Sequence, residues 1–152
     1  MPMTSVEFEV LLADETKQID GELRRSDDED HSPAVQFRTD VQSKAGYPIF
    51  VNGRFNRLAE TLSFTLIHRG TGRIYGLDLG ADHHNPTCEL VGEKHKHRWT
   101  DSHGDKVAYA PSDITAGATD PIDAWQQFCR EAKIRHVGVL HDPPAMQLEF
   151  GL

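Results

Sequence analysis

Leu62-Ser63-Phe64-Thr65-Leu66-Ile67-His68-Arg69-Gly70-Thr71-Gly72-Arg73-Ile74-Tyr75-Gly76-Leu77-Asp78-Leu79 decides the fold. Two β-type runs, 62–68 and 73–79, flank a short segment with two glycines. A parallel crossover needs roughly a dozen residues or more, so these runs must pair antiparallel as a hairpin. Upstream, Val35, Phe37, Thr39 and Val41 alternate with Gln36, Arg38, Asp40 and Gln42, the period-2 pattern of a half-buried strand. Ala45-Gly46 turns the chain into a further strand over 47–55, with Asn52-Gly53 as a bend or bulge signal. Downstream, residues 80–92 read as a loop and 93–100 as a strand. Ser102-His103-Gly104-Asp105 makes a turn before a short strand over 106–110. The middle of the chain is therefore an antiparallel meander of five or six strands.

Helices flank the meander. Asp120-Pro121-Ile122-Asp123 supplies an N-cap acid, proline at the first helical position and a further acid in the first turn. Ile122, Trp125, Phe128, Cys129 and Ala132 then form one apolar stripe, which must pack on the sheet. Arg130, Lys133, Arg135 and His136 put positive charge at the favourable end of the dipole. At the N-terminus, Thr4 or Ser5 can cap a short helix carrying Phe8, Leu11 and Leu12 at i, i+3, i+4 spacing. Alternation of Val6, Phe8 and Val10 with Glu7 and Glu9 would also suit a strand, and helix is preferred. The charged run 26–33 reads as a mobile loop that ends at Pro33. It lacks the ligand spacing and central glycine of an EF-hand loop. Late strands are expected over 137–140 and 146–150.

The predicted class is α+β: a curved antiparallel sheet, a C-terminal helix packed on it, and a short N-terminal helix. The 152 residues read as a single domain, residues 1–152. The net charge of −8 argues against nonspecific binding to nucleic acid or to anionic lipid, both of which need a basic surface. It favours a protein partner carrying basic residues, and it is also what plain solubility requires. No apolar run approaches the ~18–20 residues of a membrane span. The start Met1-Pro2-Met3-Thr4 does not read as a signal peptide, and Cys88 and Cys129 have no CxxC spacing, so a cytoplasmic location is expected.

Chemistry concentrates in four histidines within fifteen residues: His83-His84-Asn85-Pro86, then His95-Lys96-His97. On a strand, His95 and His97 share one face, and Lys94, Lys96 and Arg98 the other. Alternation also places Trp99 with the imidazoles. His83 or His84 could add a third nitrogen, and Asp78 or Asp82 a carboxylate. Zinc takes such sets, and three protein ligands plus a water make a hydrolytic centre. The expected metal ligands are His84, His95 and His97. Without metal, His95 and His97 could be the catalytic acid and base on a phosphodiester. Clustering without function is the competing reading, since His-x-His on an exposed strand is common. Cys88 is a loop residue or a further thiolate ligand, and Cys129 a small core residue. Arg54 and Arg57 could bind an anion, and His141-Asp142 could pair or simply form a loop. No HExxH helix, phosphate loop, dinucleotide fingerprint or nucleophile elbow is present.

The run from Arg73 to Gly80, then His84-Asn85-Pro86, His95-Lys96-His97, Lys106-Val107-Ala108-Tyr109 and the Phe128-Cys129 helix resembles a family of small uncharacterised bacterial proteins, a domain of unknown function. The resemblance runs roughly over 60–134, with Val107 in place of an aromatic residue. It implies that His84, Asn85, His95 and His97 belong to one shared feature, and that such proteins accompany mobile or phage-derived DNA. Three functions stand as expectations. The first is a binding or accessory protein with a histidine-lined surface site. The second is a metal-dependent or histidine-based hydrolase, a phosphodiesterase or ribonuclease. The third is a metal-binding protein without catalysis.

Overall fold

The computed structural model describes residues 3–24, 26–27, 34–56, 58–80, 94–106, 108–111, 114, 116–117 and 120–141. His83, His84, Asn85, Pro86, Cys88, Arg57, Asp142 and the strand expected over 146–150 lie outside them.

Helix α1 (Ser5–Ala13) begins at Thr4, whose hydroxyl accepts from the Glu7 backbone N–H while the Glu7 carboxylate accepts from the Thr4 N–H. This reciprocal capping decides for helix over strand. Phe8, Leu11 and Leu12 are its buried residues, as their spacing requires. Helix α2 (Pro121–Glu131) starts at the expected proline. Asp120 occupies the N-cap position but makes no capping side-chain bond, so its favourable effect is limited to charge.

Among the described residues, seven strands form the main sheet in sequential order: β2 (Ser26–Asp27), β3 (Ala34–Val41), β4 (Ile49–Asn56), β5 (Thr61–His68), β6 (Gly72–Leu79), β7 (Lys94–Arg98) and β8 (Ala108–Tyr109). All their pairings are antiparallel, so the meander is present. The strand beyond the expected six is β2, because Ser26 and Asp27, the first residues of the acidic run, pair with Gln36 and Val35 instead of joining a loop. A separate two-stranded parallel sheet joins β1 (Gln18–Asp20) to β9 (Arg135–Val137), slightly before the late strand expected at 137–140. Among the described residues, no helix is long and apolar enough to cross a membrane.

Residues opposite one another in the ladder share a face of the sheet. Val35, Phe37, Phe55, Phe64, Leu66, Tyr75 and Leu77 define the core face and are all buried. Trp125 of α2 meets Phe37 edge-on at 5.4 Å between ring centroids, and Phe128 meets Tyr75 at 5.7 Å. Gly53 is no bulge: β3 and β4 stay in register through it. Its missing side chain makes room for Phe37, whose Cε1 would lie 2.0 Å from an added Cβ. The register shift falls instead between β5 and β6. Leu66 opposes Tyr75 and Ile67 opposes Arg73, which leaves Ile74 as an extra residue. That bulge rotates Arg73 onto the face of Gly76 and Asp78, where unbroken alternation would have placed Ile74.

One buried cation holds the end of α1. The Lys17 ammonium donates to the carbonyls of Leu11 (2.7 Å), Leu12 (3.0 Å) and Asp14. These include carbonyls that the last turn of a helix leaves without intrahelical partners. Burial lowers its pKa to about 8.

Candidate metal centre

The face opposite the helices is polar, and the ladder aligns its side chains in rows across the strands. One row runs Arg54–Ser63–Asp78–His95, and its neighbour Asn52–Thr65–Gly76–His97. The expected division of β7 is correct: His95 and His97 share this face, and Lys96 opposes Leu77 on the other. Trp99 does not join the imidazoles. Strand β7 ends at Arg98, and the Trp99 indole N–H donates to the Met3 carbonyl while its ring packs on the core.

Asp78 opposes His95 directly and is diagonal to His97. Its Oδ2 lies 3.2 Å from His95 Nε2 and 3.0 Å from His97 Nε2. The two imidazole rings stand edge to face with centroids 5.1 Å apart. One donor atom from each of the three residues falls within 4.8 Å of the others. Both histidines are almost fully buried, at 3% and 2% exposure. Burial by itself would raise the Asp78 pKa. The hydrogen bonds from His95 and His97 overcome that and hold the carboxyl well below the usual carboxylate range.

A surrounding layer fixes these groups. His97 Nδ1 lies 3.1 Å from the Asp105 carbonyl oxygen. A metal that takes the Nε2 lone pair would leave an Nδ1–H to donate to that carbonyl, whereas in the metal-free protein Nε2 donates to Asp78. Arg73 donates through Nε to the Asp105 carboxylate at 2.9 Å, and its Nη1 lies 4.0 Å from Asp78. Two ligands on one tetrahedral ion with bonds of ~2.0–2.1 Å sit ~3.3 Å apart. The observed 3.0 and 3.2 Å separations are close to that value. The set of two imidazoles and a carboxylate could therefore hold a divalent transition metal once the donor atoms, which lie within 4.8 Å of one another, adjust around it.

A cleft of about 350 Å³ opens against this centre, lined by Asp78, His95, Arg54, Asn56, Thr61, Leu62, Ser63 and Leu79. Of the residues singled out from sequence, the structure brings together His95, His97 and Asp78 and sets Arg54 on the same cleft. His84 lies outside the described residues. His141 stands 3.2 Å from Glu22. Arg73, Asp105 and Ser63 were missed by sequence reasoning. Arg73 reaches the site only through the bulge, Asp105 through a backbone carbonyl, and Ser63 through register, none of which has a local sequence signal. His136 shows what a structural imidazole looks like here: it accepts from the Trp125 indole at 3.0 Å and contacts the Gly21 carbonyl at 2.7 Å.

No curated protein and no solved structure matches the chain. A family model matches residues 3–134, which takes in the N-terminal third that the resemblance left out. The chain therefore belongs to DUF6978, a family of unknown function.

Proposed function

We propose that the protein is a metal-dependent hydrolase whose centre is held by His95, His97 and Asp78. The observation that carries this reading is the approach of both imidazole Nε2 atoms to one carboxylate oxygen, at 3.2 and 3.0 Å. Two nitrogens and an oxygen are a zinc donor set, and three protein ligands leave a position for water. Ferrous iron accepts the same two-histidine, one-carboxylate set. The open position would face the cleft, since Asp78 and His95 line it. A bound metal supplies a polarised water for hydrolysis. The His97–Asp105 contact, and Arg73 beneath it, would orient one ligand. His84 is a further candidate ligand.

Burial weighs against a histidine-lined contact surface for a protein partner. Rings at 3% and 2% exposure offer almost no area to a macromolecule. Access by way of the cleft suits a small ligand instead. A metal-free acid/base reading has one observation in its favour: Asp78 accepts hydrogen bonds from both imidazoles. Elemental analysis of tag-free protein after zinc loading and dialysis separates the two. One equivalent of zinc in the wild type, lost in His95→Ala/His97→Ala, supports the metal reading. An unloaded wild type after exposure to zinc and ferrous iron overturns it.

A further inference from the structure

The cleft is not uniform. Its far end from His95 carries hydrogen-bond donors fixed by the ladder. Arg54 and Ser63 are directly opposite each other, as are Asn56 and Thr61 on the adjoining row. The side-chain oxygen of Asn56 already accepts from the backbone N–H groups of Leu58 (3.1 Å) and Ala59 (2.9 Å). That fixes the amide orientation and leaves its NH₂ as the group able to serve the cleft. The hydroxyls of Ser63 and Thr61 make no hydrogen bond among the described residues. Asp78, which lines the cleft, is engaged by His95 and His97.

We infer that this end of the cleft, Arg54 with Ser63, Thr61 and Asn56, binds the phosphoryl group of a small phosphate ester. The guanidinium is the planar, permanently charged fork that suits phosphate oxygens, and hydroxyl and amide donors complete a tetrahedral oxyanion shell. The α carbons of Arg54 and Asp78 are two strands apart, ~10 Å, so the long arginine side chain can bring an anion beside the metal centre without displacing its ligands. A volume of about 350 Å³ fits a compact ester and not a folded nucleic acid. The placement of this group next to a metal rests on the hydrolase reading. The anion subsite itself rests only on the cleft.

Methylphosphonate is the probe, titrated calorimetrically into the full chain, both zinc-loaded and metal-free, with acetate as the comparison anion. The expected result is methylphosphonate binding that exceeds acetate binding. Arg54→Gln should weaken it about 10-fold or more, as loss of a charge-assisted hydrogen bond does, with zinc content and melting temperature unchanged. Zinc uptake with no methylphosphonate binding, or binding that Arg54→Gln leaves intact, overturns the subsite and spares the metal reading. Arg54-dependent binding by a protein that takes up no metal upholds the subsite and overturns the metal reading.

Discussion

Strand β7 buries both of its faces, and the two faces use polar side chains differently. Towards the helices, Lys96 is fully buried and ends 3.2 Å from Glu131 of α2, with its ammonium 5.9 Å from the Tyr75 ring centre. That charge lies against a helix partner, where its effect is on the fold. On the opposite face, His95 and His97 bring two nitrogens to one carboxylate beside a cleft. Burial of polar groups is common to both faces and does not identify a site. Convergence of several donors on one point, together with access, does.

The largest expected effect breaks the imidazole face alone. His95→Ala/His97→Ala should abolish zinc binding, read by elemental analysis, while circular dichroism shows the sheet retained. Next comes Asp78→Asn, which keeps an acceptor for the histidines but removes the anionic ligand. Its zinc affinity should fall by more than the ~10–100-fold that loss of an outer-layer partner costs, measured by competition with a chromophoric chelator. A loss smaller than tenfold would remove Asp78 from the ligand set.

On the other face, Lys96→Met tests the contrast. The side chain keeps its apolar stem, and Glu131, about a third exposed, can turn to water. Stability by urea unfolding should stay within ~2 kcal/mol of the wild type, since Glu131, once solvated, is not left as a buried unpaired charge. Zinc stoichiometry should not change. Loss of zinc in this variant would show the two faces to be coupled.

Acid sharpens the comparison further. Asp78 has a folded-state pKa below its unfolded value of ~3.9, so its stabilisation is present above that value and is lost as pH falls through the folded one. Metal-free wild type should therefore outlast Asp78→Asn at neutral pH and converge with it in strong acid. The smallest effect belongs to the rim of the lysine face. Arg98 and Glu9 pair at 2.7 Å but are 32% and 59% exposed. Glu9→Gln should cost under ~1 kcal/mol and vanish in high salt.

Much of this architecture was legible because its signals are local. Alternation placed β3, two β-type runs placed β5 and β6, two glycines placed the hairpin between them, and proline with an apolar stripe placed α2. Strand periodicity also put His95 and His97 on one face. What could not be read is non-local. Asn52-Gly53 suggests a bulge, yet Gly53 is small because Phe37 lies over it. The bulge at Ile74 brings Arg73 to the site, and only the pairing of β5 with β6 creates it. The acidic run promised a loop, but main-chain pairing with β3 overrode its charge at Ser26 and Asp27. Lys17 carries no pattern that announces its role at the end of α1. The approach of His95 and His97 to Asp78 depends on register, since a slip of one residue would send both imidazoles to the core face.

X-ray absorption at the zinc edge of the loaded, tag-free protein tests the central claim most directly. The account predicts an inner shell of nitrogen and oxygen at ~2.0–2.1 Å with the multiple-scattering pattern of two imidazoles from His95 and His97. A sulfur shell at ~2.3 Å, or a spectrum without imidazole scattering, would contradict it.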